Sequence, residues 1–369
     1  MKVLIINTVD TARNGITNVI FNYLKELSNL DIVFDMVVKN ELDSRYANLI
    51  KRNGGQYFLF PRNMKAIVSY IISLKKLIKS ESYDIVHIHG NSHTLVIELL
   101  AAKFGGCNVR MVHAHNTSCN CIWMHKGLSG LFHVVCTHRL ACGTKAGLFM
   151  YGNHSFEVLR NGIDVNRYSF DNEMRQNIRR QYGVEDEVVL GHVGLFNEAK
   201  NQSFLLDILE ELFKTDLRYK LLLIGEGPFM NQVKEKAMKL NIEEQVIFVG
   251  ETDDVSAYLS AMDLFLMPSL YEGLPLTMIE AQANGLNCIA SNRITNEVNL
   301  TGNVRFLPID EDVNLWVKTI TAFNLKTERI HDSRKAVDCI VKQGYSIQGE
   351  AQKLHMYYHK AIQNLEIME

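Results

Sequence analysis

The sequence predicts an α/β chain of two Rossmann-like domains in tandem, on three observations. The chain is 369 residues long, more than a single hydrophobic core usually serves. Short β-prone runs alternate with helix-periodic segments in two separate series, and such alternation implies parallel sheets flanked by helices. Between the series lies LRNGIDVNRYSF, residues 159 to 170, whose Asn161-Gly162 pair marks a turn and whose polar residues suit an interdomain crossing.

The first series places strands at Val3 to Asn7, Phe34 to Val38, Ile85 to His89 and Arg110 to His113. The second places them at Val188 to Val193, Lys220 to Ile224, Gln245 to Val249, Leu264 to Met267 and Asn287 to Ala290. This gives a first domain over 1–165 and a second over 166–345. The segment 346–369 reads as a helix that packs back on the first domain. One helix, NMKAIVSYIISLKKLIKS, carries apolar residues at Ile67, Val68, Ile71, Leu74, Leu77 and Ile78 and lysines at 75, 76 and 79. That period fits a helix covering a sheet, and equally one lying on an anionic membrane surface.

Composition narrows the class. Hydrophobic residues make up 47% and charged residues 22%, as in a soluble globular protein. The N-terminal apolar run is too short for a signal peptide or a membrane span, so a cytoplasmic location is expected. Seven scattered cysteines argue against a disulfide framework. Through residue 160 there are 18 basic against 10 acidic residues, and beyond it 21 against 31. A basic first half favours anionic partners, phosphates or an acidic membrane face, although such asymmetry also serves domain association. No basic-aromatic pattern points to nucleic acid. HAHNTSCNCIWMH offers His113, His115, Cys119, Cys121 and His125 as metal ligands, but the Cys-x-Cys spacing is not a zinc knuckle and no second cysteine pair follows. No metal site is expected.

The stretch YEGLPLTMIEAQANGL, 271 to 286, carries the chemistry. A buried strand ending at Pro268 should lead into a loop holding Glu272 and Gly273. Pro275 suits the first turn of a helix that Gly285 ends, so Glu280 lies within it. A helix starting at the C-terminal end of a parallel strand points free N–H groups and its positive dipole end at an anion. Glu280 could accept from ribose hydroxyls and Glu272 from a hexose.

Taken in order, NGITNVI (14–20), VHIHGNSHT (86–94), VHAHNTS (112–118), LRNGIDVNRY (159–168), GHVGLFNEAKN (191–201), LLIGEGP (222–228), VIFVGETDDV (246–255) and PSLYEGLPLTMIEAQANGL (268–286) resemble the retaining glycosyltransferase family four. The wording is closest to bacterial transferases of capsule and exopolysaccharide assembly. The resemblance covers nearly the whole chain and implies the GT-B fold, with the two domains facing across a cleft. It implies a hexose moved from a nucleotide sugar, UDP-linked by expectation, to a lipid-linked or oligosaccharide acceptor. No cofactor and no metal ion are required. It also leaves room for peripheral contact with the inner membrane face, and for a partner subunit or homo-oligomer.

By the same resemblance Lys200 neutralises the diphosphate, Glu272 contacts the donor sugar and His115 lines the cleft opposite it. Gly15, Gly225, Gly250, Gly273, Leu274, Pro275, Leu276 and Glu280 bind the donor, Glu280 through the ribose. Close to Lys200 the family carries an arginine where this chain has Leu195. That departure keeps open a catalytically weak, sugar-nucleotide-binding subunit of an active partner transferase, with Arg160 or Arg293 as cations able to compensate.

Overall fold

The computed structural model describes residues 1–9, 15–63, 66–310, 313–323 and 328–366. The chain divides into two compact units, Met1–Gly162 with Gly344–Glu369, and Ile163–Gln343. Each is a parallel sheet with helices.

In the first unit the strands are β1 (Lys2–Asn7), β2 (Val33–Val38), β3 (Tyr57–Leu59), β4 (Ile85–Gly90), β5 (Val109–Ala114), β6 (His138–Ala141) and β7 (Glu157–Val158). They pair in the order β3-β2-β1-β4-β5-β6-β7, all parallel. The helices are α1 (Gly15–Leu27), α2 (Ser44–Arg52), α3 (Ile67–Glu81), α4 (Val96–Phe104), α5 (Ile122–Gly127), α6 (Ser129–Val135) and α7 (Thr144–Tyr151). Central strands β1 and β4 are buried along nearly their whole length because both faces are covered. Each fully buried Leu, Ile or Val there contributes about 1.5–3 kcal/mol.

Helix α3 buries Tyr70, Leu74, Leu77 and Ile78 and packs on α4. Val68, expected on the buried face, is instead exposed together with Ile72. The two lie four residues apart on one side, and Lys75, Lys76 and Lys79 continue that exposed stripe. Positions 64 and 65, which begin the sequence pattern, lie outside the described residues.

The second unit contains α8 (Asn172–Tyr182), β8 (Val188–Val193), α9 (Gln202–Phe213), β9 (Tyr219–Ile224), α10 (Met230–Lys239), β10 (Val246–Gly250), α11 (Val255–Ala261), β11 (Leu264–Met267), α12 (Leu276–Ala283), β12 (Asn287–Ser291), β13 (Val304–Leu307), α13 (Asn314–Thr321) and α14 (Arg329–Lys342). Its sheet order is β10-β9-β8-β11-β12-β13. Strand order therefore reverses between β8 and β11, and the crevice beyond the strand ends at such a reversal is where open α/β sheets bind ligands. Asp263, at the entry to β11, accepts from Arg175 at 2.6 Å, from Arg179 at 3.1 Å and from the Val189 N–H at 2.8 Å. Those bonds tie α8 to the two strands at the reversal.

The last helix, α15 (Ile347–Glu366), belongs to the first unit and lies against α1. Tyr358 on α15 is fully buried against His87 of β4, with its hydroxyl 2.6 Å from the His87 Nδ1. No helix among the described residues is long and apolar enough to cross a membrane.

Candidate active site

Loops at the C-terminal ends of β8, β9, β10 and β11 carry the expected donor residues of the second unit. After β8 the chain runs Gly194-Leu195-Phe196, and the Asn197 side chain accepts from the Lys200 N–H at 3.0 Å, closing a 3₁₀ turn. After β11 it runs through Pro268 to Pro275, where α12 begins with Pro275 at its N-cap. Because β8 and β11 are neighbours, these loops meet: the Leu270 N–H donates to the Ala199 carbonyl at 2.8 Å. The Lys200 ammonium thereby lies 2.6 Å from Glu272 Oε1, and both side chains are largely enclosed. Ser269 donates its hydroxyl to the same carboxylate oxygen at 3.0 Å. The salt bridge thus stands at the strand ends, with Glu272 four residues before the start of α12.

Glu280, within α12, sits differently. It is half-buried and beside Tyr168 and Arg167. Burial pushes its carboxyl up to about 7, and the hydrogen bond from Tyr168 and the charge of Arg167 only partly offset that. The Tyr168 hydroxyl is in turn driven well up, by burial first and by Glu280 next. Neither Tyr168 nor Arg167 was singled out in the sequence.

Gly225 and Gly227 show why glycines follow β9. Gly225 has φ +126°, and a Cβ there would fall 2.2 Å from the Gly194 carbonyl oxygen. Gly227 has φ +152°, and its Cβ would fall 2.4 Å from the Phe196 carbonyl oxygen. The close backbone approach is made by the chain's own β8 loop, so these glycines shape the segment that presents Lys200. Gly250, at φ +81°, ends β10 and accepts from the Gly225 N–H at 2.9 Å. Gly273 is exposed, Leu274 and Leu276 are half-buried and Pro275 is buried.

Two further groups stand at this end of the sheet. His192 donates from Nδ1 to the Leu266 carbonyl at 2.8 Å, which leaves the lone pair of its buried Nε2 without a partner among the described residues. A Cβ on Gly194 would lie 3.2 Å from that Nε2 and 3.1 Å from Lys200 Cε, so the imidazole borders the lysine stem. Burial pushes His192 down to about 4. The Thr277 hydroxyl in the first turn of α12 is likewise buried with no partner among the described residues. An imidazole inside a strand and a threonine inside a helix carry no distinguishing pattern in sequence.

In the first unit, Gly15 opens α1, directly after residues 10–14, which lie outside the described residues. His115 follows β5 and is buried. Its Nε2 lies 2.9 Å from His89 Nδ1, while its own Nδ1 has no hydrogen-bond partner among the described residues. Burial pushes it down to about 4, so it is a neutral imidazole near pH 7. His87 and His89 of β4 stack on each other and on His113 and His115, at and just past the end of β5, in a two-by-two patch of imidazoles. Among the described residues Cys119 and Cys121 fall in no cluster of possible metal ligands, and His125 stacks on His93. Of the cations considered as replacements near Leu195, Arg293 is paired with Asp310 at 2.5 Å, and Arg160 belongs to the first unit, over the ring of Tyr345. Leu195 itself is 53% exposed.

Comparison with known proteins bears on the family and the fold. Residues 13–167 match the family described as glycosyltransferase family 4, and residues 174–335 match glycosyl transferases group 1. The chain is 31% identical to a Bacillus subtilis (strain 168) protein named as glycosyltransferase EpsF, over 84% of each chain. It is 29% identical to the Escherichia coli UDP-Gal:alpha-D-GlcNAc-diphosphoundecaprenol alpha-1,3-galactosyltransferase, over 63% of this chain and 64% of that one. Among solved structures, Anabaena Alr3699/HepE in complex with UDP superposes with a TM-score of 0.77 at 16% identity, over 98% of this chain and 100% of the other. The fold is the GT-B glycosyltransferase fold, and the chain belongs to glycosyltransferase family four.

Proposed function

We propose that this glycosyltransferase moves a hexose from a UDP-sugar, with retention at the anomeric carbon, to a lipid-diphosphate-linked glycan acceptor in surface polysaccharide assembly. The observation that carries the reading is the Lys200–Glu272 pair at 2.6 Å, held between the loops of the two strands where sheet order reverses. In the donor-free protein each charge neutralises the other. A diphosphate entering beside the start of α12 would take the Lys200 ammonium, and Glu272, released, would accept from the hydroxyls of the attached hexose. As the glycosidic bond breaks, the charge growing on the leaving phosphate would be stabilised by Lys200 and the helix N–H groups. That phosphate oxygen can take the acceptor proton, so retention needs no enzymic nucleophile. Glu280, at the ribose end, would bind both hydroxyls as a carboxylate.

A UDP donor is supported by the complexes of Anabaena Alr3699/HepE with UDP and with UDP-glucose. The lipid-diphosphate acceptor is supported by the name of the Escherichia coli relative. His115 would line the cleft opposite the donor, and Gly15 would let its loop approach the donor diphosphate. The exposed stripe Val68, Ile72, Lys75, Lys76 and Lys79 on α3 supports contact with an anionic membrane face. Leu195, apolar and exposed beside the phosphate-binding loop, favours a second reading, a weakly catalytic subunit of a partner transferase.

The test offers UDP-hexoses with undecaprenyl-diphosphate-linked N-acetylhexosamine acceptors and follows UDP release and the anomeric proton of the product. Acceptor-dependent turnover giving an α product from an α donor is expected. An inverted product would overturn retention. Donor binding without turnover on any acceptor would favour the partner-subunit reading.

A further inference from the structure

We propose that Asp31, His355 and His359 form a binding site for a divalent cation of the zinc class, which clamps α15 onto the first unit. His355 and His359 are one turn apart on one face of α15. Asp31 lies in the loop between α1 and β2, 324 residues away in sequence from His355. The three donor atoms converge. His355 Nε2 is 2.8 Å from Asp31 Oδ1, the two Nε2 atoms are 3.2 Å apart, and His359 Nε2 is 3.9 Å from the same Oδ1. Ligands about 2.0–2.2 Å from a tetrahedral ion stand about 3.3 Å from one another, and the three separations bracket that value.

Ring orientation supports the same conclusion. The two imidazole planes are inclined at 77°, with ring centroids 4.5 Å apart, so the rings are not stacked face to face. The other group of close histidines, His87, His89 and His113, does not share this property, because its rings are stacked: the His87 and His113 planes lie 9° apart. Two Nε2 atoms facing each other at 3.2 Å can share only one proton between them, whereas a single cation satisfies both together with the carboxylate. Two imidazoles and one carboxylate are a donor set for zinc-class ions and leave one position for water. The site can fill from solvent, since Asp31 is 70% and His359 43% exposed. An ion there cross-links the C-terminal helix to the α1–β2 loop, stabilising the folded unit by mass action.

The test titrates Zn²⁺ calorimetrically into the full chain after chelator treatment, with Co²⁺ as the spectroscopic probe. One equivalent is expected to bind, Co²⁺ should give visible absorption that Zn²⁺ displaces, and Zn²⁺ should raise the melting temperature by a few degrees. H355A, H359A and D31N should each weaken binding by more than the about 10–100-fold that outer-shell partners cost, while H331A, a substitution of an exposed histidine on α14, should leave it unchanged. Circular dichroism checks that each variant folds, and D31N is the mildest of them. No saturable binding in wild type would overturn the proposal, and so would unchanged affinity in folded H359A and D31N.

Discussion

Glu272 and Glu280 stand eight positions apart in one motif, and their surroundings differ in every respect that sets a carboxylate's role. Glu272 lies in a loop with a cation at 2.6 Å and a hydroxyl at 3.0 Å on the same oxygen. Glu280 lies in a helix, where burial carries its carboxyl up to about 7 with Tyr168 as its nearest support. The difference teaches that the motif is two devices. At one end a pre-formed ion pair would be exchanged when an anion arrives. At the other a carboxyl raised to about 7, and so part protonated near neutral pH, would be drawn to its ionised form by the hydroxyls that bind it. Opposed environments for two titratable groups are a common way to divide labour in a site.

The largest effect should come from breaking the exchange end. K200A removes the charge that would meet the leaving diphosphate, and kcat/KM should fall by about 10²–10³, measured with saturating acceptor. Next is the buried end. E280Q should weaken UDP-hexose binding by about one to two decades, the cost of charge-assisted hydrogen bonds of about 1.5–3 kcal/mol. The sign of its pH dependence follows from linkage. If ribose hydroxyls bind the ionised form, as proposed, the ligand lowers the folded-state value from near 7, and affinity should rise with pH through about 7 and level off above it. Calorimetry from pH 6 to 8.5 should show that rise in wild type and a flat profile in E280Q.

Smaller effects test the frame around the ion pair. G225A places a Cβ within 2.2 Å of the Gly194 carbonyl at φ +126°, and should cost about 1–3 kcal/mol in urea unfolding with a matching loss of donor affinity. The smallest is L195R. A cation on this exposed position should improve diphosphate affinity by up to about tenfold, the gain of one partly exposed charge-assisted contact. No gain would mean that the loop already meets the phosphates fully.

Much of this was legible in sequence, because the information was local. The central strands are continuous apolar runs, and Glu280 inside a helix followed from Pro275 and Gly285. What escaped was short or non-local. β3 and β7 span three and two residues and sit at the sheet edge, where Tyr57 and Leu59 face solvent, so no apolar run announces them. The Lys200–Glu272 contact joins residues 72 positions apart, and it depends on β8 and β11 being neighbours although β9 and β10 lie between them in the chain. Gly225 and Gly227 stand after a strand in LLIGEGP, but what approaches them is the Gly194–Phe196 loop, which needs the strand order to be known. Val68 was misassigned because α3 rotates its buried stripe toward Tyr70 and Leu74, and period alone does not fix that rotation.

The central claim, two carboxylates with separate partners on one donor, is tested most directly by titrating UDP and then a UDP-hexose into wild type, E272Q and E280Q. The account predicts that E280Q weakens both ligands, whereas E272Q binds UDP as well as wild type or more tightly, its Lys200 being free, and loses only the increment due to the hexose. Equal loss of UDP in both variants would contradict it.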